Sequence, residues 1–226
     1  MIKQETVYEM RLVSALEKVF LDERPVYRPE CMKLTALKGE TVSFQAACTC
    51  TSFMKNRVKV RIESPISDRI HVRKVENVPA GRVCGPIVDD NYLKTESGLY
   101  PDLLRELVDG EVDIFPQKWR SIWIDIEVTE DVKAGLYPVT VILEKDGETL
   151  ARAATEVTIY DAVLPKQKMM HTEWFYLDCL ADYYHVPVFS EEHWEIITNY
   201  LKEYVKRGCN MILTPLFTPA LDTAVA

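Results

Sequence analysis

The sequence predicts a mainly β protein: an N-terminal antiparallel β-sandwich followed by the first β/α unit of a truncated (β/α)8 barrel. Up to residue 164, apolar residues recur at period two in short runs broken by Gly, Pro and Asp, the pattern of half-buried strands. After Pro165 an apolar run, a long amphipathic stretch and a second apolar run follow one another, the order of a strand, a covering helix and a parallel strand. Pro165 itself marks the joint. Its ring fixes φ, removes a ladder donor and pushes Leu164 toward extended geometry, while Lys166 and Lys168 keep the connector in water. The expected domains are therefore residues 1–164 and 165–226.

In the first domain, Val7 to Leu16 alternates before the turn-rich Asp22-Glu23-Arg24-Pro25. Leu34 and Ala36, then Val42, Phe44, Ala46 and Cys48, flank Lys38-Gly39-Glu40, which reads as a hairpin-like or arched link between two strands. Val58, Val60 and Ile62 repeat the pattern before Ser64-Pro65, as do Ile70, Val72 and Val75 before Pro79-Ala80-Gly81. Residues 85–116 scatter Pro, Gly and Asp among Tyr92, Leu93, Leu99, Tyr100, Leu103, Leu104 and Leu107, so an ordered long loop is expected there. Ile122, Ile124, Ile126 and Val128 then form one strand face, with Trp123 and Asp125 on the other. Tyr137, Val139, Val141 and Leu143 form the next face, and Asp146-Gly147 favours a tight hairpin into a return strand over residues 150–160.

In the second domain, Met169 to Phe175 is a strand candidate, and a loop carrying Asp178, Asp182, Tyr183, Tyr184 and Pro187 follows it. Ser190 is a plausible N-cap, with Glu191 and Glu192 in the first turn of a helix whose apolar stripe is Trp194, Ile197, Leu201, Tyr204 and Val205. Lys206, Arg207 and Gly208 end it, and Asn210 to Leu213 form the next strand before Thr214-Pro215. A closed barrel of eight such units takes about 250 residues. The stretch from Pro165 onward supplies 62, so only the opening unit is expected here.

A net charge of −8 without a Lys/Arg cluster argues against a nucleic-acid partner and against anionic membranes. No apolar run approaches the ~18 residues needed to span a bilayer, and Lys3, Glu5 and Glu9 interrupt what a signal peptide would keep apolar. The expected localisation is cytoplasmic unless a leader has been removed. The six cysteines are scattered through a chain long enough to fold without staples. Cys48 and Cys50 share a strand face, but no second Cys or His pair has zinc-like spacing, so buried free thiols, no metal and no cofactor are expected.

Several segments together resemble glycoside hydrolase family 123 and its uncharacterised relatives. They are Arg11 to Phe20, the loop from Tyr92 to Leu104 with its Gly-Leu-Tyr-Pro-Asp, and Ala134-Gly135-Leu136-Tyr137-Pro138. More distinctive are His171-Thr172-Glu173-Trp174-Phe175, Asp178 to Tyr184, and Asn210 to Pro215. The resemblance implies an N-terminal sandwich joined to a (β/α)8 catalytic barrel, and a retaining exo-β-N-acetylgalactosaminidase activity on a glycan ending in N-acetylhexosamine. It also implies substrate assistance: the sugar's 2-acetamido oxygen attacks the anomeric carbon, an Asp stabilises the oxazolinium, and the adjacent Glu serves as acid and then base. That Asp-Glu pair belongs to a middle barrel strand, which this chain does not reach. Its one Asp-Glu dipeptide, Asp22-Glu23, reads as an exposed turn, so no catalytic residue is assigned and the chain alone is expected to be inactive.

Substrate contacts are expected where barrel sites form, at the carboxyl ends of the strands. These positions are Glu173, Trp174, Tyr176 and Asp178 after the first strand and Phe217 after the second. Carboxylates accept hydrogen bonds from sugar hydroxyls, and aromatic faces cover the C–H surface of a pyranose. Each also has a purely structural reading, Trp174 and Phe175 as wall residues and Asp178 as a cap. His171 is expected to be a buried, hydrogen-bonded imidazole. The rival function is a non-catalytic carbohydrate- or protein-binding sandwich module, which would expose coplanar aromatics where an enzyme's accessory domain would bury Trp119 and Trp123. Two parallel strands without neighbours also leave open edges. The C-terminal unit is accordingly expected to dock on the sandwich, to self-associate with a second copy, or to stay poorly ordered.

Overall fold

The computed structural model describes residues 6–26, 28, 32–81 and 92–215. Contacts divide the chain into two compact units, Met1–Leu164 and Pro165–Ala226. The described residues of the first form strands β1 (Tyr8–Ser14), β2 (Lys33–Lys38), β3 (Thr41–Cys50), β4 (Asn56–Glu63), β5 (Ile70–Ala80), β6 (Gly98–Glu106), β7 (Glu111–Ile114), β8 (Arg120–Glu127), β9 (Gly135–Lys145) and β10 (Glu148–Val163). They assemble into two sheets, β1-β3-β8-β5-β6 and β2-β10-β9-β4-β7. Every pairing within them is antiparallel except β2 with β10.

Alternation fills the space between the sheets. Phe44, Ile122, Ile124 and Ile126 come from one, and Val58, Val139, Val141, Leu143 and Val157 from the other; all are buried in one cluster. Cys48 and Cys50 lie in that cluster as free thiols, and burial pushes the Cys48 thiol up to about 12. Lys38-Gly39-Glu40 resolves as an arch, because β2 and β3 belong to different sheets. Gly39 takes φ +90°, which a residue without Cβ adopts at little cost. Asp146 and Gly147 both take positive φ and close the β9–β10 hairpin as their types predict.

Three expectations about the chain path are corrected. The stretch expected to be one long loop contains β6 and β7; residues 82–91 within it lie outside the described part. β6 escapes a period-two reading because it is an edge strand whose burial does not alternate, and an edge tolerates Pro101. The Pro79-Ala80-Gly81 break comes later than expected, since β5 continues to Ala80, pairing Pro79 with Leu99. In the second unit the expected loop over Asp178 and Tyr184 is a helix.

That unit contains β11 (Thr172–Trp174), α1 (Leu177–Tyr184), α2 (Glu191–Lys206) and β12 (Met211–Leu213). β11 and β12 pair in parallel, Thr172 with Met211 and Trp174 with Leu213. Ser190 caps α2 as expected, its hydroxyl accepting the His193 N–H at 3.2 Å. Only His193 and Ile197 of α2 are buried, so the apolar stripe read from the sequence is covered at its middle and exposed at Trp194 and Val205.

Acid should weaken the sandwich. Burial alone would raise Glu76, but the Lys74 hydrogen bond and the charges of Arg120, Lys74 and Arg105 outweigh it and hold its carboxyl below the usual range. Asp113 is likewise raised by burial and, on balance, lowered by Arg57 and Lys55. A carboxylate depressed in the folded state stabilises it fully above the unfolded pKa and loses that contribution as pH falls through the folded value. The urea midpoint should thus stay level from about pH 7 to 5 and drop below about pH 4, where unfolded carboxyls bind protons first.

Candidate functional site

The carboxyl end of β11 carries two aromatic side chains in register. Trp174 is the last strand residue and Tyr176 follows two positions later, so both project to the same side. Their rings stack at a centroid separation of 5.7 Å and an interplanar angle of 14°. Both are open to solvent, Trp174 at 64% and Tyr176 at 42%. Tyr176 is also the N-cap residue of α1, in extended conformation, and Asp178 lies in the first turn, where its Oδ1 accepts the Cys179 N–H at 3.1 Å. A carboxylate there is favoured by the helix dipole.

Glu173 does not join them. Strand alternation turns it to the opposite face, where its Oε1 lies 3.3 Å from His171 Nε2. Phe175 shares that face and its ring meets Tyr204 of α2 at 6.1 Å. A single pocket built from Glu173, Trp174 and Asp178 is therefore corrected to a platform of Trp174 and Tyr176 beside Asp178, with Glu173 behind the strand. Phe217 lies outside the described residues. His171 departs from its expected role too: it precedes β11, and its ring is 44% exposed rather than buried.

The Tyr204 hydroxyl, missed in the sequence, braces this strand pair. It accepts the Glu173 N–H at 2.6 Å and donates to the Met211 carbonyl at 2.8 Å, linking α2 to both strands. Its position in the helical stripe signalled packing; nothing in the spacing signalled a hydroxyl aimed at backbone. Asp22 and Glu23 are exposed in a turn and pair with Lys118 and Lys94, as a surface dipeptide should. Among the described residues, no group of three His, Cys, Asp or Glu side chains is placed to hold a metal ion.

The glycoside hydrolase 123 N-terminal domain matches residues 20–145, more than half of the chain. The chain belongs to glycoside hydrolase family 123. The family's catalytic domain also matches, over residues 174–226, beginning at the tryptophan of the stacked pair. Among solved structures, a family 123 glycoside hydrolase from Clostridium perfringens, described in connection with glycolipid glycan hydrolysis, superposes with a TM-score of 0.65 at 16% identity. The likeness at that identity is one of fold. It covers 91% of this family 123 chain and 37% of the Clostridium chain, so the present sequence spans well under half of that enzyme's length. The CARDB domain of a Pyrococcus furiosus protein (TM-score 0.34, 6% identity, 69% of this chain and 96% of that one) and a Listeria innocua β-glucosidase (TM-score 0.32, 10% identity, 70% and 17%) are too distant to bear on fold or function. No curated protein matches.

Proposed function

We propose that this family 123 chain is the N-terminal part of a retaining, substrate-assisted β-N-acetylhexosaminidase of the N-acetylgalactosaminidase type, with residues 1–164 as an accessory sandwich and residues 165–226 as the opening unit of a (β/α)8 barrel. The observation that carries the proposal is the exposed Trp174–Tyr176 stack at the carboxyl end of a strand paired in parallel across a helical connection, the end at which barrel enzymes bind substrate. The rings offer their faces to the apolar side of a pyranose, and Asp178 accepts a hydroxyl. The family's adjacent Asp-Glu pair comes from later strands of the parent enzyme.

The sandwich-module alternative is less well supported. Trp119 is buried with Val13, Val19 and Ala47, and Trp123 is half-buried with its Nε1–H held by Asp125 at 2.7 Å, so the two do not present a coplanar exposed pair.

Titration of the 226-residue protein with N-acetylgalactosamine, followed through indole N–H resonances, tests the reading. Trp174 should shift while Trp123 stays fixed, and Trp174→Ala should weaken binding about 2- to 10-fold, the value of one aromatic contact of ~0.5–1.5 kcal/mol. The p-nitrophenyl β-N-acetylgalactosaminide should not be cleaved. Release of p-nitrophenol would place the catalytic carboxylates inside this chain and overturn the assignment.

A further inference from the structure

We infer that Cys209, His171 and Glu173 form a thiol–imidazole–carboxylate relay at the amino-terminal end of the β11–β12 pair, a nucleophilic site for small soft electrophiles such as low-molecular-weight disulfides and alkylating agents. The relay lies at the opposite end of the strands from the Trp174–Tyr176 platform, and the inference does not rest on the glycosidase reading.

The tautomer follows from the contacts. Glu173 Oε1, 3.3 Å from His171 Nε2, accepts its proton, which leaves the Nδ1 lone pair facing outward from the ring. Cys209 Sγ lies 3.8 Å from that nitrogen. A nucleophile against a base, with the base oriented by a third group, is the arrangement that activates Ser and Cys side chains.

Backbone hydrogen bonds fix the geometry. The Asn210 and Met211 N–H groups donate to the His171 carbonyl at 3.1 and 3.2 Å, and the His171 N–H donates to Asn210 Oδ1 at 2.9 Å. Asn210 Nδ2 adds a bond to the Met169 carbonyl at 3.0 Å. On the other side Gly208, at φ +88°, turns the chain out of α2, and the Cys209 N–H donates to Tyr204 O at 3.2 Å. Residues 171 and 209 are thus locked side by side by the start of the parallel ladder.

Access is asymmetric. Cys209 is 7% exposed, whereas the His171 and Glu173 side chains are 44% and 65% exposed. In the proposed reaction small reagents reach the nearly buried thiol alongside the half-exposed imidazole. As sulfur attacks a disulfide R–S–S–R, an S–S bond to Cys209 forms, the reagent's S–S bond breaks, and the thiol proton passes to Nδ1 and then to the departing RS⁻. No external oxidant is needed. Among the other described thiols, Cys48 and Cys50 are buried in the sandwich core, where burial raises the Cys48 pKa, and Cys179 sits exposed on α1 as an internal reference.

Timed iodoacetamide labelling of the whole 226-residue protein at pH 6.5, quantified per cysteine by peptide mass spectrometry, decides the matter. Cys209 should label faster than Cys179 although it is the more buried. His171→Gln should slow Cys209 at least tenfold, and Glu173→Gln should slow it about threefold, both leaving Cys179 unchanged. Glu173→Gln changes an exposed side chain, so it remains informative should the His171 variant fold poorly. Equal rates at Cys209 in the wild type and Glu173→Gln, or labelling of Cys209 slower than Cys179 at pH 6.5, would overturn the relay.

Discussion

Replacing Asp125 with Ala should cost the sandwich about 3–5 kcal/mol, the price of leaving a mostly buried charge without its partner. Asp125 is 6% exposed and sits on the outward face of β8. Its carboxylate receives the Ser43 hydroxyl at 2.5 Å from β3, the Trp123 Nε1–H at 2.7 Å from its own strand, and the Arg73 guanidinium from β5. One carboxylate therefore ties three adjacent strands together across the middle of the first sheet. The Ala variant strands Arg73, whose Nε has no hydrogen-bond partner among the described residues. Urea denaturation reads the loss as a lowered midpoint. The double variant Asp125→Ala, Arg73→Met separates the causes. If the penalty comes from the orphaned guanidinium, the double variant recovers most of it; if it comes from the lost attraction, the double variant is no better than the single one.

The network also shows what a sequence can and cannot disclose. Placing Trp123 and Asp125 opposite Ile122, Ile124 and Ile126 needed only period-two counting, because a strand buried on one face writes that face plainly. The hairpin at Asp146-Gly147 and the Ser190 cap were legible for the same local reason: turn and cap chemistry act within four residues. That Arg73 would complete Asp125 was not legible, because it depends on β5 pairing with β8 across some fifty residues of chain. β6 was missed because its order comes from pairing along β5 rather than from a buried face of its own. Helix α1 did carry a helical pattern in Leu177, Leu180, Ala181 and Tyr184, but it is one short run that ends on His185 in the left-handed region instead of a glycine. Separating Glu173 from Trp174 required only parity, since His171 with Glu173 and Trp174 with Tyr176 are each two residues apart. The meeting of Cys209 with His171 required the β11–β12 register, which nothing local encodes.

The second unit should depend on His193 about as strongly as the sandwich depends on Asp125. His193 is 0% exposed, and both ring nitrogens are engaged. Nδ1 accepts the Phe189 N–H at 2.8 Å, and Nε2 donates to the Leu177 carbonyl at 2.8 Å, the only assignment that matches a donor to one nitrogen and an acceptor to the other. The ring thereby joins the start of α2 to the first residue of α1, directly after Tyr176. It also holds Phe189, a non-glycine residue at φ +59°, in a conformation that carries steric cost. His193→Ala orphans the Phe189 N–H, removes one bond from the Leu177 carbonyl and leaves a cavity where a fully buried ring stood, so a loss of about 2–5 kcal/mol is expected. Amide exchange should then accelerate throughout α1 and α2 while the β8 amides keep their protection. Two further variants divide the effect: Asn places an oxygen near the Nδ1 position and should keep the Phe189 bond, whereas Gln places an amide N–H near Nε2 and should keep the Leu177 bond. Each should recover about half of the Ala penalty, because each restores one of two comparable hydrogen bonds. Full recovery with Asn and none with Gln would locate the whole effect in the strained turn at Phe189, and the Trp174–Tyr176 stack would then rest on α1 alone.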